Sequence, residues 1–403
     1  MRIALIGSRG IPARYSGVET CVENLAARLV ERGHTITVYC RPHVVDWPAA
    51  TYRGIKLVKI GTIQNKFLDT FVHTFLCTLH MLTVARPDAA IYFIAGNSPF
   101  VLLARLGGVR TIMNVDGLDS QRAKWGPKAR LYLRLAEYIS SWAPHRTVTD
   151  SRVVQRLYQQ RFGRGSTFIP YGAELPSSPG LEALEQFGLA PRGYVLMVGR
   201  LVPENGAHVL LDAYARLETA VPLVIVGDAP YEDEYVATLR EKASALVVFT
   251  GYQFGAAYHQ LLRNARVFVL ASEVGGTHPV LTEAMAAGAA IIANDHEPNR
   301  EALGDAGLVY SGKEGAASLA RILQTLLDDQ DLASRLRESA RERARVLYSW
   351  SAVTDTYEQL CQTVWRRRGR EAVRKPERAW RPAAIVGDRR VRDAVVVGDV
   401  DAP

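Results

Sequence analysis

At 403 residues the chain has room for two domains, and 48% hydrophobic against 22% charged residues is the balance of a globular protein with a sizeable core, which excludes wholesale disorder. The net charge is +8, but 11 basic and 6 acidic residues from Arg366 onward account for +5 of it, so the charge belongs mostly to the tail. With no nucleic-acid module in view, that charge does not imply a nucleic-acid partner. No apolar run reaches the ~18 residues of a membrane-spanning helix, the best candidate, Phe67 to Ala85, being broken by Asp69, His73 and His80. The short apolar run after Met1-Arg2 is not the core of a signal peptide. Cys21, Cys40, Cys77 and Cys361 are scattered without zinc-ligand spacing, which predicts reduced thiols and a cytoplasmic chain.

Along the chain, short β-rich runs alternate with amphipathic stretches. Ile3–Gly7, Thr35–Cys40, Lys56–Ile60, Ala90–Ile94, Thr111–Val115 and Thr147–Thr149 read as strands, with a helix over Val18–Glu31 stopped by Gly33. The pattern ends near Phe168–Gly172, and Pro176-Ser177-Ser178-Pro179-Gly180 reads as a linker. A second alternation follows, with strands at Tyr194–Val198, Leu223–Val226, Val247–Thr250, Val267–Ala271, Ala290–Ala293 and Leu308–Tyr310. Residues 313–346 read as one helix, and Ser349-Trp350-Ser351 precedes a last helix ending near Trp365. Apolar strands alternating with helices predict parallel sheets covered on both faces, hence an α/β fold of two Rossmann-like units. The expected units are 1–175 and 186–346, then a helix over 347–365 and a basic, unstructured tail over 366–403.

Ligands of open α/β sheets bind beyond the carboxyl ends of the strands, so chemistry is sought just after strands. Gly7–Gly17 follows the first strand; it lacks the GxGxxG spacing, but Gly17 at a helix start lets a phosphate approach free N–H groups, with Ser16 and Glu19 as caps. After the first strand of the second unit, Arg200 can offer a planar fork to a diphosphate; the blander reading is a surface pair with Glu204. The sharpest stretch is Ser272–Pro279 and the helix after it. Gly275, Gly276 and Thr277 can wrap a phosphate with backbone amides, Thr277 or His278 can cap, and Glu283 can take ribose hydroxyls, or be no more than an exposed residue of a good helix. Asp116, after a strand of the first unit, either binds a sugar hydroxyl or makes an Asp-Gly turn. The stretch Arg122, Lys124, Lys128, Arg130 and Arg134 with Trp125, Tyr132 and Tyr138 reads first as a solvated helix face and second as a contact with an anionic membrane or lipid diphosphate. His73 and His80 share a helical face and read as packing residues. Asp399-Val400-Asp401 reads as an accidental DxD, and no GxSxG, Walker or HExxH motif appears.

Taken together, Gly199-Arg200 with Glu204-Asn205-Gly206 and Glu283–Gly288 resemble the nucleotide-sugar domain of family 4 retaining glycosyltransferases of GT-B architecture. The stretches GSRGIPARYSGVET, NVDGLDSQRAKWG, VGRLVPENGAH, FTGYQFG, EVGGTHPVLTEAMAAG and NREALGDAG are similar, more narrowly, to a bacterial rhamnosyltransferase-type subgroup, over about residues 1–365. The resemblance implies two facing Rossmann-like domains, a helix from Ser349-Trp350 crossing back to the first, and no cofactor or metal. It implies transfer of a hexosyl, here rhamnosyl, group with retention from a nucleoside-diphosphate sugar to a saccharide or lipid-linked glycan in cell-surface polysaccharide synthesis, at the cytoplasmic side of a membrane. It also implies a base stacked near Gly251-Tyr252 and a diphosphate meeting Gly17 from the opposite domain. Two departures stand out. The family carries two glutamates eight residues apart, but Gly275 occupies the first position and the nearest carboxylate is Glu273; and a lysine of the arginine loop is replaced by Asn205. Asp116, Arg200 and Glu273 are the catalytic candidates. A sugar-nucleotide epimerase using Asp116 and Glu273, or a non-catalytic nucleotide-sugar scaffold, are the alternatives.

Overall fold

The computed structural model describes residues 1–366 apart from 14–16, 66–67, 122–124, 175–179 and 230–232. Ser16, Arg122, Lys124, most of the expected linker and the tail beyond Arg366 therefore lie outside the described residues.

Two sheets organise the chain. The first takes β1 (Arg2–Ile6), β2 (Thr35–Cys40), β3 (Thr51–Tyr52), β4 (Ile55–Lys59), β5 (Ala89–Phe93), β6 (Arg110–Val115), β7 (Arg146–Thr149) and β8 (Thr167–Phe168), in the order β3-β4-β2-β1-β5-β6-β7-β8. Only the β3–β4 pair is antiparallel. The second is wholly parallel: β9 (Val195–Val198), β10 (Leu223–Val226), β11 (Val247–Gly251), β12 (Val267–Leu270), β13 (Ala290–Asn294) and β14 (Leu308–Tyr310), in the order β11-β10-β9-β12-β13-β14. The helices of the first unit are α1 (Gly17–Glu31), α2 (Asp69–His80), α3 (Ser98–Leu106), α4 (Pro127–Trp142) and α5 (Arg152–Phe162). Those that follow are α6 (Glu182–Gln186), α7 (Ala207–Tyr214), α8 (Asp233–Lys242), α9 (Gly255–Arg263), α10 (Pro279–Ala287), α11 (Glu297–Leu303), α12 (Ala316–Asp328), α13 (Gln330–Leu347) and α14 (Trp350–Arg366).

The strands are continuous apolar runs because both faces are covered. On β1, Ile3 and Leu5 enter the core beneath α1 and α14, whereas Ala4 and Ile6 enter the core beneath α2 and α3, as the two-residue period of a strand requires. The sequence reading placed one helix over 313–346; the structure breaks it at Asp329. There the chain turns extended and the Asp329 carboxylate accepts the Leu332 N–H at 2.8 Å, capping α13. All four cysteines are buried and unpaired.

The last helix, α14, returns to the first sheet. Trp350, Val353, Tyr357, Leu360 and Val364 join the core built on Ile3, Val22, Leu25 and Ile112. The Tyr357 hydroxyl accepts from Asn114 Nδ2 at 2.7 Å, and Glu358 meets Arg32 and His34 at 2.8 and 3.0 Å. Gly172 lets this happen: a β-carbon there would lie 2.2 Å from Trp350 Cδ2. Gly172→Ala is therefore expected to displace the indole and cost about 1–3 kcal/mol of stability. A lowered urea midpoint at unchanged slope would show it, and an unchanged midpoint would contradict it.

Candidate active site

In each sheet the first strand sits centrally and the chain winds out from it first to one side and then to the other: β1 lies between β2 and β5, and β9 between β10 and β12. These are the switch points where an open α/β sheet leaves a crevice at its carboxyl edge. The loops after β1, β9 and β12 all leave from them, and the two crevices face one another.

The halves touch through glycine. A β-carbon on Gly17, the first residue of α1, would lie 2.4 Å from Cγ of Pro279, the first residue of α10, so the two helix starts abut. The Gly276 N–H donates to the Asp116 carbonyl at 3.0 Å, and the Thr277 hydroxyl donates to the Asp150 carbonyl at 3.2 Å. The amide that the sequence reading gave to a phosphate is thus spent across the cleft, since buried backbone donors take an available acceptor. Thr277 and His278 do not cap α10 with their side chains; Thr277 reaches the other half, and the His278 ring lies 3.0 Å from the Val274 carbonyl. His296 holds the same loop by its ring, 3.1 Å from the Gly275 carbonyl. Gly275 has φ +100°, a conformation that penalises any side chain, which is a physical reason for glycine where the family carries its first glutamate. Glu273 is exposed, and its N–H donates to the Glu204 carbonyl at 3.3 Å.

The arginine loop is fastened to the glycine loop by Asn205. Its amide nitrogen donates to the Arg200 carbonyl at 2.8 Å, and its oxygen accepts from the Ser272 hydroxyl at 3.4 Å. Asn205 therefore shapes this loop where a lysine would add charge. Arg200 is half-buried at the carboxyl end of β9. On the other side of β9, the Tyr252 hydroxyl donates to the Asp228 carbonyl at 2.8 Å, and its ring stacks on Phe254 with centroids 5.9 Å apart. Glu283 accepts a hydrogen bond from the Tyr258 hydroxyl; desolvation pushes its carboxyl up to about 7, against the lowering effect of that bond.

Sequence reasoning missed Asp150. It follows β7 directly, as Asp116 follows β6, and it is 1% exposed, with neither carboxylate oxygen hydrogen-bonded among the described residues. Burial drives its pKa well above the ordinary carboxylate range, the charge of Asp116 adds to the rise, and the nearby amides of Asp150 and Thr277 oppose it. Its position immediately after a strand was the available signal. Glu301 was missed as well: from α11 it accepts the N–H groups of Arg152 and Val153 at 2.7 and 2.8 Å, so a carboxylate of one half sits on the start of α5 in the other. His73 and His80 are packing residues, the first buried beside Cys77 and the second against the Tyr39 hydroxyl.

Comparison with known proteins fits this geometry. Residues 185–343 match the family described as Glycosyl transferases group 1, and residues 1–174 match a Domain of unknown function, DUF1972. Residues 185–343 are therefore similar to a group 1 glycosyltransferase domain. A Campylobacter jejuni N-acetylgalactosamine-N,N'-diacetylbacillosaminyl-diphospho-undecaprenol 4-alpha-N-acetylgalactosaminyltransferase is 31% identical over 181 residues, 44% of this chain and 48% of that one. The chain spans about half the length of the curated relatives it matches at this level of identity. Among solved structures, sucrose-phosphate synthase from Thermosynechococcus elongatus superposes with a TM-score of 0.74 at 21% identity, covering 91% of this chain and 99% of that one. Anabaena HepE in complex with UDP-glucose gives 0.73 at 18% identity, covering 90% and 100%. At these identities the likeness shows the fold alone: two α/β domains of GT-B type. Among the described residues, no helix is long and apolar enough to cross a membrane.

Proposed function

We propose that the chain transfers a hexosyl group, rhamnosyl by the resemblance of its motifs, from a nucleoside-diphosphate sugar to a hydroxyl of a saccharide or lipid-linked glycan during cell-surface polysaccharide synthesis. The observation that carries this reading is the convergence of the loops after β1, β9 and β12 on one crevice, with Gly17 against Pro279 and Gly276 against Asp116. The group 1 match over residues 185–343 supports a sugar-nucleotide donor, and the lipid-diphosphate acceptor named for the Campylobacter jejuni relative supports a lipid-linked one.

In this reading leaving-group departure builds negative charge on the diphosphate and positive charge on the sugar. Arg200, the amides of the loop Gly275–Thr277 and the start of α1 at Gly17 stabilise the diphosphate, an effect of several kcal/mol when the donors are fixed beforehand. The Gly276 amide holds the Asp116 carbonyl and so fixes the closed cleft, while Arg200 and the rest of the loop meet the diphosphate. Glu283 takes the ribose hydroxyls, Tyr252 borders the base beside Gly251, and Asp116 and Glu273 flank the transferred sugar. Retention follows if the departing phosphate takes the acceptor proton on the face it leaves. No metal is required where an arginine and helix termini meet the charge. Closure excludes water from the donor.

Screening nucleoside-diphosphate sugars by mass spectrometry, with a lipid-linked glycan fraction as acceptor, tests the proposal: a glycosylated acceptor and a free nucleoside diphosphate are expected. Donor conversion without an acceptor product would favour an epimerase, and failure of every nucleoside diphosphate to bind would favour a scaffold. The pH dependence is a second check. Ribose hydroxyls bond more strongly to the ionised carboxylate of Glu283 than to its neutral acid, and burial raises that pKa to about 7, so donor affinity is expected to tighten as pH rises through about 7. In Glu283→Gln calorimetric affinities should lose that dependence; the same pH profile in both proteins would exclude the role.

A further inference from the structure

We propose that the outer face of α2, α3 and α4 docks on an anionic lipid bilayer. The proposal rests on the lipid-linked acceptor for its purpose, but the surface is read from residues that take no part in donor binding. Large apolar side chains are unevenly exposed: among the described residues, 12 of the 16 at the surface fall between Ile63 and Trp142. They form rows. Just before α2 and along it, Leu68, Phe71, Phe75 and Leu79 recur every three or four residues and are 38–45% exposed, while His73, Thr74, Cys77 and Thr78 fill the buried side of the helix. On α4, Leu131, Leu135, Tyr138 and Trp142 recur likewise at 70, 55, 54 and 37% exposure. Leu106, at the end of α3, is 79% exposed.

Aromatic contacts join the rows into one surface. Phe71 lies edge-on to Phe100 of α3, with centroids 4.8 Å apart, and 6.1 Å from Tyr132 of α4. A row of this kind facing water is costly unless something covers it. The charges on the same three helices select the occupant. Arg105, Lys128 and Arg134 are exposed. The only acids, Asp69 and Glu137, turn inward: Asp69 meets the buried Arg41 at 2.6 Å, and Glu137, 1% exposed, accepts from the Ser120 amide and hydroxyl. Apolar rows edged with arginine and lysine and free of exposed acid match the boundary of a negatively charged bilayer, where leucine and phenylalanine enter the acyl region and Tyr138 and Trp142 suit the headgroup level. Two copies of this face would instead bring like charges together. Docked this way, the first domain would lie on the leaflet that holds a lipid-linked acceptor.

Co-sedimentation of the full chain with vesicles of phosphatidylglycerol and phosphatidylcholine tests the proposal, with vesicles of phosphatidylcholine alone as control. Binding to the anionic vesicles is expected, weakened by salt and at least about tenfold stronger than to the neutral ones. Leu131→Glu with Leu135→Glu, and separately Lys128→Glu with Arg134→Glu, should each reduce it by about tenfold or more. These positions are exposed, so the variants should keep the wild-type circular dichroism. The second pair tests the charge without touching the apolar row, should the first misfold. Equal pelleting with both vesicle types, or undiminished pelleting of folded variants, would overturn the docking face. So would a wild-type dimer on size exclusion that the apolar variants make monomeric, since a second copy would then be the occupant. Loss of vesicle binding with calorimetric nucleoside-diphosphate affinity intact is the expected separation; failure of nucleotide binding with vesicle binding intact would count against the donor site alone.

Discussion

Gly276→Ala is expected to lower donor turnover by about a hundredfold while leaving each half folded. A β-carbon at 276 would stand 2.5 Å from Asp150 Oδ1, 2.6 Å from Oδ2 and 2.8 Å from the Asp116 carbonyl oxygen, all on the other half of the molecule. None of these atoms can yield cheaply: two belong to a carboxyl buried at 1% exposure, and the third is backbone. The methyl group therefore has to hold the halves apart, and a displacement of about an ångström at reacting atoms is enough to cost two orders of magnitude. Because the obstruction lies in the cleft and not in either core, the defect should appear in kcat, with circular dichroism unchanged. Wild-type kcat in a folded Gly276→Ala protein would show that the halves need not meet here during the reaction.

Arg200→Ala is expected to reduce turnover by more than tenfold, towards the 10²–10³ typical of removing one preformed donor to developing charge. The arginine loop has no second positive charge to share the work, because the place of the family's lysine is taken by Asn205, whose amide is committed to the Arg200 carbonyl and Ser272. The loss should be larger for a diphosphate donor's turnover than for binding of the nucleoside alone, since only the former carries the charge that Arg200 meets. Arg200→Lys should recover part of it, a point charge replacing a fork. Equal rates for wild type and Arg200→Ala would remove Arg200 from the mechanism.

Much of the fold was legible because both sheets are covered on two faces. Runs such as Ile3–Ile6, Leu223–Val226 and Val267–Leu270 are apolar at every position, and glycine or a polar turn follows each, so strand and loop separate cleanly. What local pattern could not show was pairing too short to leave one. Thr51–Tyr52 and Thr167–Phe168 are two-residue edges, the first closed in a tight hairpin against Ile55 and Lys56 and the second paired across α5 with Val148 and Thr149. The break at Asp329 was hidden because leucine and alanine keep a helical period on both sides of it, and only the cap geometry marks the end.

The candidate site divides in the same way. Gly17, Arg200 and Gly275–Thr277 were visible because each follows a strand in a loop with an evident donor. The meaning of Gly276 was visible only in part: the sequence shows an unhindered amide, whereas the structure shows the Asp116 carbonyl bonded to it. Asp150 and Glu301 escaped because their roles lie between the halves. Asp150 looks like an ordinary residue before the Ser151 cap of α5, and Glu301 like a polar residue of a short helix, until the two halves are set face to face.

The central claim is that a pyrophosphate sits between Arg200, the amides of the loop Gly275–Thr277 and the start of α1 at Gly17. A crystal structure of the chain with a bound nucleoside diphosphate tests it most directly. The account predicts phosphate density in the crevice between β9, β12 and the Gly17 end of α1, within hydrogen-bond distance of the Arg200 guanidinium. Density on any other surface, with Arg200 and the glycine loop untouched, would contradict it.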